Sequence, residues 1–345
     1  MEIVNDPVPV EHDKPHQKRL LVLVLGFIVL LAALYSLIPN LLVMVKGEDI
    51  TGVADEDLKP NDKLIIPVAE NAFYPLSRIV INGLTPINPD LQKYITDWDD
   101  GMVEKLWNEY RENYEFYDDA TKLNSYQRVG ANDSINGIRS IARLSAIRAI
   151  YLAKHDNIQG AYEEAKKTIK LGYVLQNSNS DLLTFLVGNA VSGYGLNAYK
   201  WIKTNYKENE DNADELRQYS DVHNGIKNAL RQEYLVGIQS IREVLSGTYD
   251  DRSFTEKIKI KKNNYYFKPN LTQSYLADFY RKEVSLVGVC PAPESEIIKF
   301  NTPGYVLYFE ENALGKILFD SLILDYQSAR QKACDHQQKM AELSE

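Results

Sequence analysis

The chain has 345 residues, of which 44% are apolar and 25% are charged, and this is the composition of a folded globular protein rather than of a disordered chain. Its formal net charge of −9 argues against a general affinity for nucleic acid, because neutralising phosphates requires a basic surface. We therefore expect no nucleic-acid partner.

A long apolar segment lies near the N-terminus. No charged residue interrupts the chain between Arg19 and Lys46, and about 20 apolar residues, at ~1.5 Å each along a helix, cross the hydrocarbon core of a bilayer. A cleaved signal peptide is the main alternative, but this run is longer than the usual ~7–15 apolar residues of a signal peptide. The pattern predicts an uncleaved transmembrane anchor at residues 20–46, preceded by a tail at residues 1–19.

The charges that flank this segment predict its orientation. Lys14, Lys18 and Arg19 precede the segment, whereas Lys46 is followed closely by acidic residues. Because positively charged flanks stay on the cytoplasmic side of a membrane, we expect a cytoplasmic N-terminus in the plasma (inner) membrane. The main domain would then lie in the periplasm or outside the cell.

The rest of the chain predicts a tether and a helical domain. Residues 47–63 are acidic and rich in turn-forming residues, and they predict the tether. Residues 64–345 show about seven segments with helical periodicity. The predicted fold class is all-α, with one N-terminal transmembrane helix and a soluble helical bundle or short solenoid of helical hairpins. The last predicted helix runs from Asn312 to about Leu343, and its polar end is expected to project into solvent or to meet a partner.

Small residues predict close packing between neighbouring helices. Ala149, Ala161 and Ala165 flank the turn at Asp156-Asn157, and together with Tyr151 and Tyr162 this pattern resembles one tetratricopeptide-type hairpin. No second copy follows at a period of ~34 residues, so a repeat array is not predicted. A second set of small residues, at 188, 192, 193 and 195, predicts that the following helix also packs closely in a soluble core.

Four short segments carry a resemblance to known proteins. They are residues 70–72, residues 149–165, residues 182–188 and residues 312–316. Their order resembles that of uncharacterised bacterial membrane-anchored helical proteins with a single membrane crossing. The resemblance implies an anchored helical protein and carries no particular activity.

The motifs of metal, phosphate and nucleophile chemistry are missing from the sequence after the predicted anchor. That part has no Cys-x-x-Cys, no His-x-x-x-His, no Gly-x-Ser-x-Gly and no phosphate-binding loop. We therefore predict no metal and no cofactor, name no catalytic residue, and leave open whether the protein is an enzyme. The two cysteines, Cys290 and Cys334, lie on the same side of the predicted anchor, so a disulfide and two free thiols are both compatible with the sequence.

One basic and aromatic segment stands out in this acidic chain. It is a candidate interaction surface for lipid headgroups or a polyanion, and a strand edge protected by lysines explains it equally well. Its residues are Lys257, Lys259, Lys261, Lys262, Tyr265, Tyr266 and Phe267.

These patterns favour an interaction or scaffold module of the cell envelope, tethered to the membrane and bound to an envelope protein. One alternative is an envelope hydrolase acting on a glycan or peptidoglycan, for which Glu233 and Glu109 are the first carboxylate pair to consider. Another alternative is a small-ligand domain with a pocket lined by Tyr110, Tyr114 and Tyr117. Burial of these rings against other helices would remove that alternative.

Overall fold

The structure is a computed structural model, and it describes the chain in nine stretches. They are residues 24–34, 49–59, 65–80, 99–129, 136–206, 213–246, 267–295, 299–300 and 311–344. Within these stretches the regular structure is helical, and the only bridge between extended segments joins Asn71 to Ser125. The all-α prediction is confirmed for this part of the chain.

Ten α-helices are labelled in chain order within the described stretches. They are α1 (24–34), α2 (Phe73–Ser77), α3 (Asp100–Thr121), α4 (Asn136–Lys154), α5 (Ile158–Gln176), α6 (Leu182–Asn205), α7 (His223–Ser246), α8 (Pro269–Ser285), α9 (Ala313–Leu322) and α10 (Gln327–Ser344). Short 3-10 helices cover Glu56–Leu58, Val68–Glu70 and Ala213–Tyr219.

Helix α1 is the described part of the predicted anchor. Its apolar side chains are exposed, as the values for Leu25, Phe27 and Val29 of 53%, 61% and 66% illustrate. Within the described parts of the chain, none of the helices combines the length and the apolarity that crossing a bilayer requires. The predicted tail at residues 1–19 and the rest of the predicted anchor lie outside the described residues.

Helices α4, α5 and α6 pack closely through small residues. A turn at residues 155–157 joins α4 to α5, and there Asp156 takes a positive φ of 61° while the Asn157 side chain accepts a hydrogen bond from Gly160 N at 3.1 Å. Between α5 and α6 the backbones nearly touch, since a Cβ on Gly172 would lie 2.4 Å from the Ser192 nitrogen. The close packing predicted from these small residues is therefore present.

Two hydrophobic cores organise the described helices. The first core lies among α2 to α6, and the second lies among α7, α8 and α9. Helix α6 contributes to both, with Val187 in the first core and Phe185 in the second. Helix α10 does the same, with Met340 in the first core and Ala333 in the second.

The C-terminal region differs from the single projecting helix that the sequence suggested. The chain leaves helical geometry at Ile323, and α10 begins after Asp325 accepts a hydrogen bond from Gln327 N at 2.9 Å. The far end of α10 is packed, because Met340 and Leu343 are only 1% and 5% exposed. The expectation of a projecting end was wrong because two apolar residues three positions apart suffice to bury one face of a largely polar helix.

Residues 49–59 lie in the predicted tether, and we call them the strap because they contact α7 and α8. The Asp49 carboxylate accepts hydrogen bonds from Asn270 N at 2.8 Å and Leu271 N at 3.1 Å. These groups need an acceptor, since the N-cap residue of α8, Lys268, makes no side-chain cap bond. At the other end of the strap, Leu58 is 1% exposed in the second core. The strap is thus held on the bundle at both ends.

Candidate functional site

A groove of about 320 Å³ opens between α3 and α4, and we call it the α3–α4 groove. Its lining combines exposed or half-buried aromatic, charged and amide side chains with a buried apolar floor. The lining residues are Val103, Glu104, Trp107, Asn108, Leu144, Arg148, Tyr151 and Leu152.

Local sequence patterns place these side chains. Helix α3 starts where the Asp99 carboxylate accepts a hydrogen bond from Gly101 N at 2.9 Å. Residues at three- and four-residue spacing on α3 form its buried face, and Trp107 lies beside that face and turns toward α4. On α4, Leu144 is buried and Arg148 follows one helical turn later on the same face. The groove is therefore built on two helices that belong to the first core.

Arg148 lies against two adjoining aromatic rings, whose centroids are 4.3 Å apart. Its guanidinium carbon is 4.0 Å from the ring centroid of Trp107 and 5.0 Å from that of Tyr114. Contacts of this kind stabilise the cation by about 0.5–2 kcal/mol. Within the described stretches, no carboxylate pairs with Arg148 and no acceptor takes a hydrogen bond from it. Arg148 is half-buried, so part of its side chain stays accessible to a ligand.

A buried polar layer supports this arrangement from below. Glu164 of α5 is 5% exposed, and it accepts hydrogen bonds from the Tyr114 hydroxyl and, at 2.5 Å, from Ser145 Oγ. The Lys167 ammonium lies 2.7 Å from its other oxygen. Burial, and then the Glu164 charge, raise the pKa of Tyr114, so this hydroxyl stays protonated as a donor. The ring beneath Arg148 is therefore fixed by a hydrogen-bonded carboxylate.

The other end of the groove is negative and aromatic. The Tyr151 hydroxyl donates to Glu104 Oε1 at 3.2 Å, and the His155 ring stacks on Tyr151 with centroids 4.1 Å apart. His155 Nε2 is 3.6 Å from an Asp100 carboxylate oxygen. The groove thus presents a cation at one position and a carboxylate at another.

This arrangement is suited to binding. Tryptophan, tyrosine and arginine are enriched among the residues that contribute most to protein interfaces, because they combine large contact areas with directed polar groups. The volume lies at the low end of the ~300–1,000 Å³ range of small-ligand pockets, so it suits a few side chains of a polypeptide segment.

Most of the predicted basic and aromatic surface lies outside the described residues, namely Lys257, Lys259, Lys261, Lys262, Tyr265 and Tyr266. Its last member, Phe267, is described. It is 3% exposed and packs in the second core, because it directly precedes α8 and its ring fills space between the helices. Phe267 therefore contributes to packing, while the interaction surface of the other six residues stays a prediction.

The two cysteines form a disulfide. The Cα atoms of Cys290 and Cys334 are 5.8 Å apart, and the bond joins the segment after α8 to α10. Close by, the fully buried ion pair of Arg330 and Glu283 links α10 to α8. The two alternatives left open by the sequence are thus resolved in favour of the bond.

The carboxylate pair considered for a hydrolase does not come together. Glu233 of α7 accepts a hydrogen bond from Leu182 N at 3.2 Å, at the start of α6. Burial, and then the nearby charge of Asp181, raise the pKa of Glu233. Glu109 instead lies exposed on α3. The carboxylate that acts on Glu233 is therefore Asp181, which caps α6 and pairs with Arg128 at 2.8 Å.

The three clustered tyrosines do not line a pocket. Tyr110, Tyr114 and Tyr117 are 8%, 4% and 0% exposed and belong to the first core. Their burial removes the basis for a ligand pocket on that face.

Two central residues, Trp107 and Glu164, were missed by reasoning from sequence. A signal for Glu164 exists, since it occupies the same helical face as Ala161, Ala165 and Thr168, where a carboxylate is unexpected. Trp107 gave no comparable signal, because a half-buried aromatic residue on a helix is ordinary.

Comparisons with known proteins add no relative. No family model matches the chain, and neither a curated protein nor a solved structure does. The resemblance to membrane-anchored helical proteins stays a prediction.

Proposed function

We propose that this protein is a membrane-tethered interaction module of the cell envelope that binds a segment of another envelope protein in the α3–α4 groove. The observation that carries the proposal is the accessible set of Trp107, Arg148 and Tyr151 on two packed helices. Such side chains, held in place before binding, lose little conformational entropy when a partner docks.

The supporting layer favours binding by a preformed surface. Tyr114 is held by Glu164, and Glu164 is held in turn by Ser145 and Lys167. The bonds of Glu164 to Tyr114 and Ser145 join three helices, while its pair with Lys167 lies within α5. Movement of Tyr114 would therefore leave buried polar groups unpaired. Leaving such a group unpaired costs about 1–3 kcal/mol.

The proposed anchor is the uncharged stretch at residues 20–46. Its support is the unbroken apolar sequence and the exposed apolar side chains of α1. The strap starts at Asp49, three residues after Lys46, so the bundle would sit close to the membrane. The disulfide supports a position of the bundle on the oxidising side, since such bonds persist in oxidising compartments and are rare in the cytosol.

Site-specific crosslinking in cells tests the proposed function. A photo-reactive residue is placed at Asn108, which is exposed and lines the groove, in the full-length protein in its native membrane. The matched control places the same residue at Gln239, which is exposed on α7. We expect one predominant adduct with an envelope protein at position 108 and no such adduct at position 239. Trp107→Ala should reduce the adduct strongly, because tryptophan is enriched among the interface residues whose truncation costs about 2 kcal/mol or more.

Three results would contradict the proposal. They are the absence of an adduct at position 108, the same adduct from both positions, and an adduct with a protein confined to the cytoplasm.

A further inference from the structure

We propose that Arg148 recognises a side-chain carboxylate of the segment that binds in the α3–α4 groove. This inference rests on the proposed function and names the chemistry of the partner: an aspartate or glutamate next to an apolar residue.

The first reason is that Arg148 lacks the carboxylate partner that three other arginines of the described chain have. Arg128 pairs with Asp181, Arg281 with Asp57, and Arg330 with Glu283. Arg148 is half-buried like Arg128, yet no carboxylate of the described chain pairs with it. A guanidinium that is partly withdrawn from water gains most from a carboxylate, because that pair replaces lost hydration with two parallel hydrogen bonds.

The second reason is the geometry of its surroundings. The rings of Trp107 and Tyr114 cover the guanidinium at 4.0 and 5.0 Å, measured from its central carbon to the ring centroids. The two ring planes meet at 62°, so the planar guanidinium can stack on only one of them. A stacked guanidinium keeps its N–H donors, which lie in its plane, for a ligand. Tyr114 is itself fixed by Glu164, so the ring that the guanidinium contacts is in place before a ligand arrives.

The other groove residues restrict the kind of anion. Leu144, Leu152 and Val103 provide apolar contact, which suits the methylene groups of an acidic side chain and an apolar neighbour. Glu104 lies in the same groove and carries a negative charge that opposes a multiply charged anion such as phosphate. A ligand that places a single carboxylate at Arg148 and hydrogen-bond donors near Glu104 complements the positive charge of Arg148 and the negative charge of Glu104.

A matched pair of peptide probes tests the inference on the full-length protein in detergent micelles. The probes are acetyl-Leu-Glu-Leu-amide and acetyl-Leu-Gln-Leu-amide, which differ only in the carboxylate. The three tryptophans are labelled with fluorine, and the Trp107 resonance is assigned with Trp107→Phe. We expect the glutamate peptide to shift the Trp107 resonance and to bind at least about tenfold more tightly than the glutamine peptide, which corresponds to about 1.4 kcal/mol.

Substitutions of Arg148 test whether this residue is responsible for the preference for the glutamate peptide. Arg148→Gln should remove the preference for the glutamate peptide, and Arg148→Lys should keep part of it because the charge remains. Arg139→Gln is the matched control, since Arg139 is half-buried on the same helix and does not line the groove. It should leave the preference unchanged. Circular dichroism of each variant establishes that the helices are intact.

The outcomes separate this inference from the proposed function. Equal binding of the two peptides would overturn carboxylate recognition while leaving a peptide-binding groove. If inorganic phosphate occupies the site as well as the glutamate peptide does, the site is a general anion site and the inference is also overturned. If neither peptide shifts Trp107, the inference is wrong, and the crosslinking at position 108 decides separately whether the groove binds a protein.

Discussion

At the scale of single residues, Glu233 shows how burial changes a carboxyl group without making it catalytic. Its oxygen satisfies the backbone N–H of Leu182, one of the groups left without a helical partner at the start of α6. Burial and Asp181 raise its pKa above the usual value of 4.5. A raised pKa at a helix start is therefore explained here by packing, and the hydrolase interpretation loses its main candidate.

The pH dependence of stability tests this account of Glu233. The folded state holds the Glu233 proton to higher pH than the unfolded state does, so the free energy of unfolding falls as pH rises from about 4.5 through the raised pKa. Glu233→Gln keeps the oxygen that accepts from Leu182 and removes the charge. We expect this variant to gain on the order of 1 kcal/mol relative to the natural chain between pH 4.5 and neutral pH, measured by urea unfolding.

Glu109→Gln is the control for that measurement, because Glu109 is exposed on α3. It should change the free energy of unfolding by no more than about 0.5 kcal/mol. If the free energy of unfolding depends on pH in the same way for Glu233→Gln and for the natural chain, burial does not raise the pKa of Glu233 and this account is wrong.

Some features of single residues can be predicted from the sequence, and others cannot. The pairing of Cys290 and Cys334 stayed open because the sequence does not give the distance between their Cα atoms. The burial of Glu164 and its bonds to Tyr114 and Ser145 depend on three helices meeting, so no local pattern reports them. The clustered tyrosines were visible in the sequence, but whether they faced a pocket or a core was not.

At the scale of elements, the strap is the feature with the most consequence. Asp55 lies at its centre, 4% exposed, and accepts hydrogen bonds from the Tyr234 hydroxyl at 2.7 Å and Gln273 Nε2 at 2.8 Å. Burial alone would raise the pKa of Asp55, but hydrogen bonds from Tyr234, Lys59 and Gln273 outweigh it and lower the pKa below 3.8. The stabilisation by the ionised carboxylate is thus present above pH 3.8 and is lost as pH falls through the lowered pKa.

Removing this carboxylate should release the strap. Asp55→Ala leaves the buried Tyr234 hydroxyl without its acceptor, and we expect a loss of about 1–3 kcal/mol in the free energy of unfolding. Amide hydrogen exchange should rise in residues 49–59 more than in α3 or α4. Asp57→Ala is the control, since Asp57 makes an exposed pair with Arg281 that is worth about 1 kcal/mol or less. Equal effects of the two variants would mean that Asp55 does not hold the strap.

The periodicity of apolar residues predicts where helices form, but it does not predict how the helices pack against one another. The hairpin of α4 and α5 follows from small residues on either side of a turn at Asp156-Asn157, which is a local signal. The sequence of the strap predicted a tether that does not pack on the domain, because acidic and turn-forming residues are typical of such tethers. Its acidic residues serve instead as acceptors for α7 and α8, and Asp49 and Asn270 lie 221 positions apart in the chain.

At the scale of the whole molecule, two cores are joined by shared helices. Helices α6 and α10 contribute side chains to both cores. The disulfide ties α10 to the segment after α8, across 44 positions of the chain. A partner bound at the α3–α4 groove would therefore contact the first core, while the strap and the disulfide act on the second.

Loss of the disulfide should weaken the molecule as a whole. The double substitution Cys290→Ser and Cys334→Ser removes a loop constraint from the unfolded chain, and we expect the free energy of unfolding to fall by about 2–4 kcal/mol. Urea unfolding of the detergent-solubilised full-length protein measures this change. Reductant should lower the stability of the natural chain and leave the variant unaffected, and an equal response of both would contradict the assignment of the bond.

The strap also sets an order of events during synthesis. Its residues leave the ribosome before any helix of the bundle, but the residues that hold it belong to α7 and α8, which end at Ser246 and Ser285. Helices α2 to α6, which form most of the first core and end at Asn205, are complete before then. Leu58 accordingly stays without the apolar side chains of α7 and α8 until those helices have been made, and assembly then brings an early part of the chain onto helices that are made much later.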